Sequence, residues 1–248
     1  DYLSEAEWAN VDLRYSLEVY DYDPVNKTIG TAPVKDRMVK VLDKYEPVVF
    51  ELRLVPGRHY HFVVFADFVG EDATDVPTVK AQEKIGKHHE IGATLAEITL
   101  NADAINNELT DAYFATDHFE ITNSAAKDMT LRRPYGKVRV VATDLHELNL
   151  NVEATSVKVE YTQPNANKFN AVEGKISGEG ATTFTAIYND TNVYSEYTEG
   201  YDKQTTTALN GTVRKSHMTL STDYILANDT QAPIHFTVTV YHGEQIIK

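Results

Sequence analysis

"FELRLVPGRHYHFVVFAD", residues 50–67, decides how the rest of the chain is read. Phe50, Leu52 and Leu54 share one face of an extended run, with Glu51 and Arg53 opposite. Pro56-Gly57 fits the centre of a type II turn, where glycine supplies the positive φ. Beyond it Tyr60, Phe62, Val64 and Ala66 fall on one face. Period-two alternation marks strands rather than helices. The stretch predicts a β-hairpin with Phe50, Leu52, Leu54, Tyr60, Phe62 and Val64 in a core and an exposed turn.

The same alternation recurs along the chain. In residues 13–20 Leu13, Tyr15, Leu17 and Val19 oppose Arg14, Ser16, Glu18 and Tyr20. In 135–143 Gly136, Val138, Val140 and Ala142 oppose Tyr135, Lys137, Arg139 and Thr143, a pattern that buries one face and leaves Lys137 and Arg139 in solvent. Pro134 belongs at that strand's start. Further strands are expected at 95–100, 113–121, 128–133, 156–162, 182–188, 193–198, 205–213, 217–222 and 234–241. Short helical turns are expected in 101–112 and 145–151. His242-Gly243 reads as a turn that starts a return strand at 244–248. The fold class is therefore all-β.

Residues 70–92 are polar and read as a mobile, protease-sensitive excursion. Residues 164–180 are rich in Asn and Gly and read as a linker. The charge balance changes there too: residues 164–248 carry 6 Lys and Arg against 9 Asp and Glu, and residues 1–163 carry 17 against 28. This divides the chain into domains 1–163 and 164–248, the second too short in strands for a complete sandwich.

Composition narrows the function. The net charge of −14 points away from nucleic acid and anionic membranes as partners. The absence of cysteine excludes disulfides and thiolate chemistry within these residues. No apolar run is long enough for a membrane-spanning helix. No nucleophile-elbow, zinc-protease or nucleotide-binding motif occurs, so catalysis is not expected. His59 and His61 have a metal-compatible i, i+2 spacing on a strand but no identifiable third ligand. His88-His89-Glu90 reads as solvated loop. Asp21, Asp23, Asp67, Asp72 and Asp75 would form a calcium site if they met in space. No metal or cofactor is expected. Asn26, Asn189, Asn210 and Asn228 each begin an N-x-T sequon.

Six segments in order, "LRYSLEVYD", "FELRLVPGRHYHFVVFADFV", "TDAYFATDHFEI", "TLRRPYGKVRVVATDL", "SVKVEYTQPNANKFN" and "LSTDYILAN", resemble Bacteroidetes fimbrillin-like proteins, the subunits and anchor-type accessory proteins of type V pili. The resemblance implies two transthyretin-like β-sandwich domains in tandem. It implies an exported, lipid-anchored outer-membrane protein acting in pilus assembly, anchoring or cell adhesion, its lipidated cysteine lying upstream of Asp1. Partners would be other fimbrial subunits joined by strand exchange, together with a host or bacterial surface ligand. Ile234, Phe236, Val238 and Val240 are the candidate protein interface, inward-facing on a strand whose neighbour is missing or incomplete. A carbohydrate-binding surface protein is the alternative reading.

Overall fold

The computed structural model describes residues 11–70, 88–101, 104, 106–124, 126–142, 156–180, 182–187, 206–209, 212–215, 218–227 and 233–248. They form antiparallel sheets throughout, with a short 3-10 turn at Glu108–Thr110 in the 101–112 stretch.

The central sheet runs β2 (Thr28–Pro33), β1 (Val11–Asp23), β4 (Arg58–Gly70), β7 (Ala112–Ile121), and β3 (Met38–Leu42) shares β1's edge with β2. Two 13-residue strands, β1 and β4, form its spine, pairing from Val11–Gly70 to Asp21–Tyr60. Valine, leucine and tyrosine supply the apolar positions of β1, and valine and phenylalanine most of those of β4; β-branched and aromatic residues pack well on a pleated surface.

Both edges of β4 are taken, by β1 and β7, so the expected hairpin partner has no edge to join. Residues 50–55 are not a paired strand. They run extended across the face of the sheet, with Phe50, Leu52 and Leu54 packed on Leu17, Val19, Tyr60, Phe62 and Val64. The core residues expected from the sequence are thus in the core or against it, through face-to-face packing rather than backbone pairing. The turn at Pro56-Gly57 is exposed, and Gly57 has φ 77°.

The opposite face of the central sheet is buried as well. It lies under a second sheet, β11 (Lys175–Ser177), β10 (Lys168–Asn170), β6 (Ile98–Leu100), β5 (His89–Ile91), and under the ribbon of β8 (Tyr135–Ala142) with β15 (Met218–Leu226). One cluster joins these layers, from Val63, Phe65 and Phe114 through Ile91, Leu95, Ile98 and Phe169 to Tyr135, Tyr224 and Leu226. The far side of the ribbon contributes Val138 and Ile225 to a smaller cluster with Val159, Tyr161, Ile234 and Val238. That cluster belongs to the sheet β12 (Thr183–Ile187), β9 (Ser156–Tyr161), β16 (Phe236–His242), β17 (Gln245–Ile246). The hairpin β13 (Thr206–Leu209) and β14 (Thr212–Lys215) completes the described strands. The ribbon is packed on both faces, so Lys137 and Arg139 are half-buried rather than solvated, with Lys137 lying 5.3 Å above the Tyr224 ring. Of the expected strand at 128–133 there is a single bridge, Arg132 with Phe114.

Residues 164–180, read as a linker, carry β10 and β11. Pairs join strands on either side of residue 163: β10 with β6, β15 with β8, and both β12 and β16 with β9. Of the 70–92 excursion, residues 71–87 lie outside the described residues, as does the 145–151 turn. Its end is not a loose loop: His89–Ile91 is a strand, and His88 and His89 are buried.

Both faces of β1 are buried, the polar one included. Arg14, Ser16 and Glu18 are each 1% exposed. Charges so deep persist only when paired and hydrogen-bonded. Arg14 bonds Asp67 across the β1–β4 pair. Glu18 accepts hydrogen bonds from Arg37 at 2.9 Å, from the Leu95 amide at 2.9 Å and from the Tyr20 hydroxyl. Arg37 donates onward to the Gly92 carbonyl. These bonds tie the 92–95 turn to the middle of β1.

Candidate protein interface

The four candidate interface residues sit on or just before β16. Its register on β9 runs from Phe236–Tyr161 to Tyr241–Ser156. The Thr162 amide donates to the His235 carbonyl, which fixes the phase: in an antiparallel ladder the backbone groups of 235, 237, 239 and 241 face β9, and those of 236, 238 and 240 face away. On that outer side the Val240 amide donates to Lys248, and the Val240 carbonyl accepts from Ile247. The return strand, with Gly243 at φ 57° in its turn, reaches no farther back than Val240. The outward backbone groups of Phe236 and Val238 have no partner among the described residues. One neighbour of β16 is therefore complete and the other covers only its end.

Side-chain burial does not follow the same gradient along the strand. Val240 is buried at 7% exposure; Ile234 and Val238 are half-buried against Val159, Tyr161 and Ile225. Phe236, expected inward, is 39% exposed, its ring centroid 5.9 Å from that of Tyr161. It is the most exposed of the four, although Ile234, two residues farther from the return strand, still packs in the cluster with Val138 and Ile225. Behind the strand the Tyr161 hydroxyl donates to Asp223 at 2.6 Å, and burial raises the Asp223 carboxyl above the ordinary aspartate range. Backbone thus offers itself at 236–238, and Phe236 is the apolar side chain presented beside it.

The other candidates are scattered. His59 and His61 share a face of β4, but His61 is buried with Nε2 3.1 Å from the Val172 carbonyl, and His59 lies 4.0 Å from Glu120. Desolvation holds His61 below the usual histidine range. Among the described residues no three His, Asp or Glu side chains are placed to hold a metal ion. Asp67 is neutralised by Arg14 at one end of the β1–β4 pair, while Asp21 and Asp23 lie at the other end, so these three do not meet. Asp72 and Asp75 lie outside the described residues. His88-His89 is no solvated loop: His89 Nε2 is 2.6 Å from the Tyr135 hydroxyl and its Nδ1 is 3.6 Å from Asp67. Sequence reading missed this buried polar group. The available signal was charge recurring inside strands that are otherwise apolar, at Arg14, Glu18 and Asp67.

No curated protein matches the chain. A crystal structure of a candidate adhesin from Bacteroides thetaiotaomicron VPI-5482 is similar to it at 15% identity, over 94% of this chain and 70% of that one, with a TM-score of 0.46. The model of a family of unknown function, DUF6562, matches residues 2–248, and the chain belongs to that family.

Proposed function

We propose that this chain is a non-catalytic surface subunit that acts in fimbrial assembly, anchoring or adhesion, joining its partner by strand addition along β16. The observation that carries the reading is the backbone at Phe236 and Val238, without a partner among the described residues, beside an exposed phenylalanine. A strand edge of this kind pairs readily with another chain: its free N–H and C=O groups supply affinity and its alternate side chains supply selectivity. The six ordered segments that resemble fimbrillin-like proteins support the same reading. They also supply its finer parts: tandem transthyretin-like sandwiches, a lipid anchor and an outer-membrane location. Such sandwiches would here share strands across residue 163.

The test is association with fimbrial subunits from the same organism, measured by pull-down and by co-polymerisation. Val238→Pro removes one outward N–H and leaves the β9 ladder intact, because residue 238 does not bond to β9. Wild type is expected to bind and Val238→Pro to lose most of that binding, with only the modest fall in melting temperature that loss of the half-buried Val238 packing brings. Absence of association with any cognate subunit would remove this function.

A further inference from the structure

The sequence Val48–Val55 is strand-like in composition, alternates half-buried and exposed residues, and pairs with no strand among the described residues. None of residues 48–54 makes a backbone hydrogen bond to a described residue. At the ends, the Glu46 carbonyl accepts from Tyr15, and the Val55 amide donates to the Tyr60 hydroxyl. Its inward side chains hold it on the central sheet. Its outward side chains are Val49, Glu51, Arg53 and Val55, all exposed, with Val49 at 71% and Val55 at 56%. Glu51 and Arg53 have no ion-pair partner among the described residues.

That outward row is its own complement. Reversed about Leu52, valine falls opposite valine, and Glu51 falls opposite Arg53. An antiparallel pair of two such strands places both Glu51–Arg53 pairs directly across the ladder, where opposite charges attract and like charges repel. It also covers Val49 of each copy with Val55 of the other. Proline at 47 and 56 limits the ladder to this stretch, since proline donates no bond. Two-fold pairing of one patch with itself is the commonest way for identical chains to associate. We infer that residues 48–55 form the two-fold interface of a homodimer, each copy adding this strand antiparallel to its counterpart. This surface lies on the central sheet, apart from β16, and the inference does not depend on the fimbrial reading.

Sedimentation velocity of the whole chain over a range of concentrations tests it. The expected species has twice the 27.8 kDa chain mass. Arg53→Glu alone and Glu51→Arg alone should each give monomer, with melting temperature within a few degrees of wild type since both positions are exposed. Glu51→Arg/Arg53→Glu together should restore the dimer. As the chain has no cysteine, mixing Val49→Cys with Val55→Cys chains under mild oxidant should yield a cross-linked pair, and Val49→Cys alone should not. A wild-type monomer at every concentration, including one that binds some other protein through this edge, overturns the inference. So does a dimer indifferent to the single reversals, or a double reversal that stays monomeric.

Discussion

Arg14 holds Asp67 through two hydrogen bonds, Nε to Oδ1 at 2.9 Å and Nη2 to Oδ2 at 2.7 Å, with both side chains sealed from solvent. The two residues are opposite each other in the β1–β4 register, so the ion pair spans the spine of the fold. Removing one partner strands the other charge in the interior. Arg14→Met is expected to cost about 3–5 kcal/mol, read as a fall in the denaturation midpoint. Arg14→Met with Asp67→Leu should recover most of that loss, because the penalty lies in the uncompensated charge. Equal losses from the single and the double replacement would mean that the pair itself supplies the stability.

The same carboxylate lies beside His89, which is fully buried with Asp67, Arg14, His88 and Tyr135 around it. Desolvation pushes His89 down to about 4 from 6.5, against the pull of Asp67. The unfolded chain therefore binds this proton in a window where the folded chain does not. The stabilising effect is complete above pH 6.5 and is lost as pH falls from there toward 4, at about 1.4 kcal/mol per pH unit. Asp223, whose carboxyl is raised by burial, acts in the opposite sense, since it takes up its proton more readily when folded. Melting temperature against pH should show the acid-side decline in wild type and a shallower one in His89→Gln. Identical slopes would remove His89 as the cause.

Phe169 follows residue 163 in sequence yet packs edge-on to Phe114 with ring centroids 4.8 Å apart, and is 2% exposed. Phe169→Ala is expected to cost about 3–5 kcal/mol and to lower the melting of the central sheet. Hydrogen exchange read at β4 and β7 amides checks it. Unchanged protection there would show that the two parts of the chain fold separately.

Phe62 is 7% exposed, lies 5.4 Å from the Phe119 ring and sits beneath Leu52 and Leu54. Phe62→Ala should cost about 3–5 kcal/mol, whereas Arg53→Ala on the outward side of the covering segment should stay within about 0.5 kcal/mol. Chemical denaturation of the two variants compares them directly. A loss at Phe62 no larger than at Arg53 would mean that the face is not a packed core.

Strand identity was legible in the sequence wherever alternation was strong, because side-chain direction in a strand is fixed locally by the pleat. β1, β4, β7, β8, β9, β15 and β16 fall close to where their patterns place them. The turns at Gly57 and Gly243 were legible for an equally local reason: a positive φ suits glycine. Partner choice was not legible. Phe50–Leu54 reads as a strand of a hairpin, yet only the assembled sheet shows that β1 and β7 have already taken both edges of β4. The alternation in β1 sets Arg14 and Glu18 opposite its apolar residues and says nothing of what covers them. Tertiary structure brings Asp67 and Arg37 to them and so makes their burial tolerable. The four interface candidates show the same division. Sequence placed Ile234, Phe236, Val238 and Val240 on one face of one strand. Tertiary structure decided that Val240 is core, that Phe236 is the exposed one of the four, and that the backbone without a partner among the described residues is at 236–238, since each of these depends on where other parts of the chain lie.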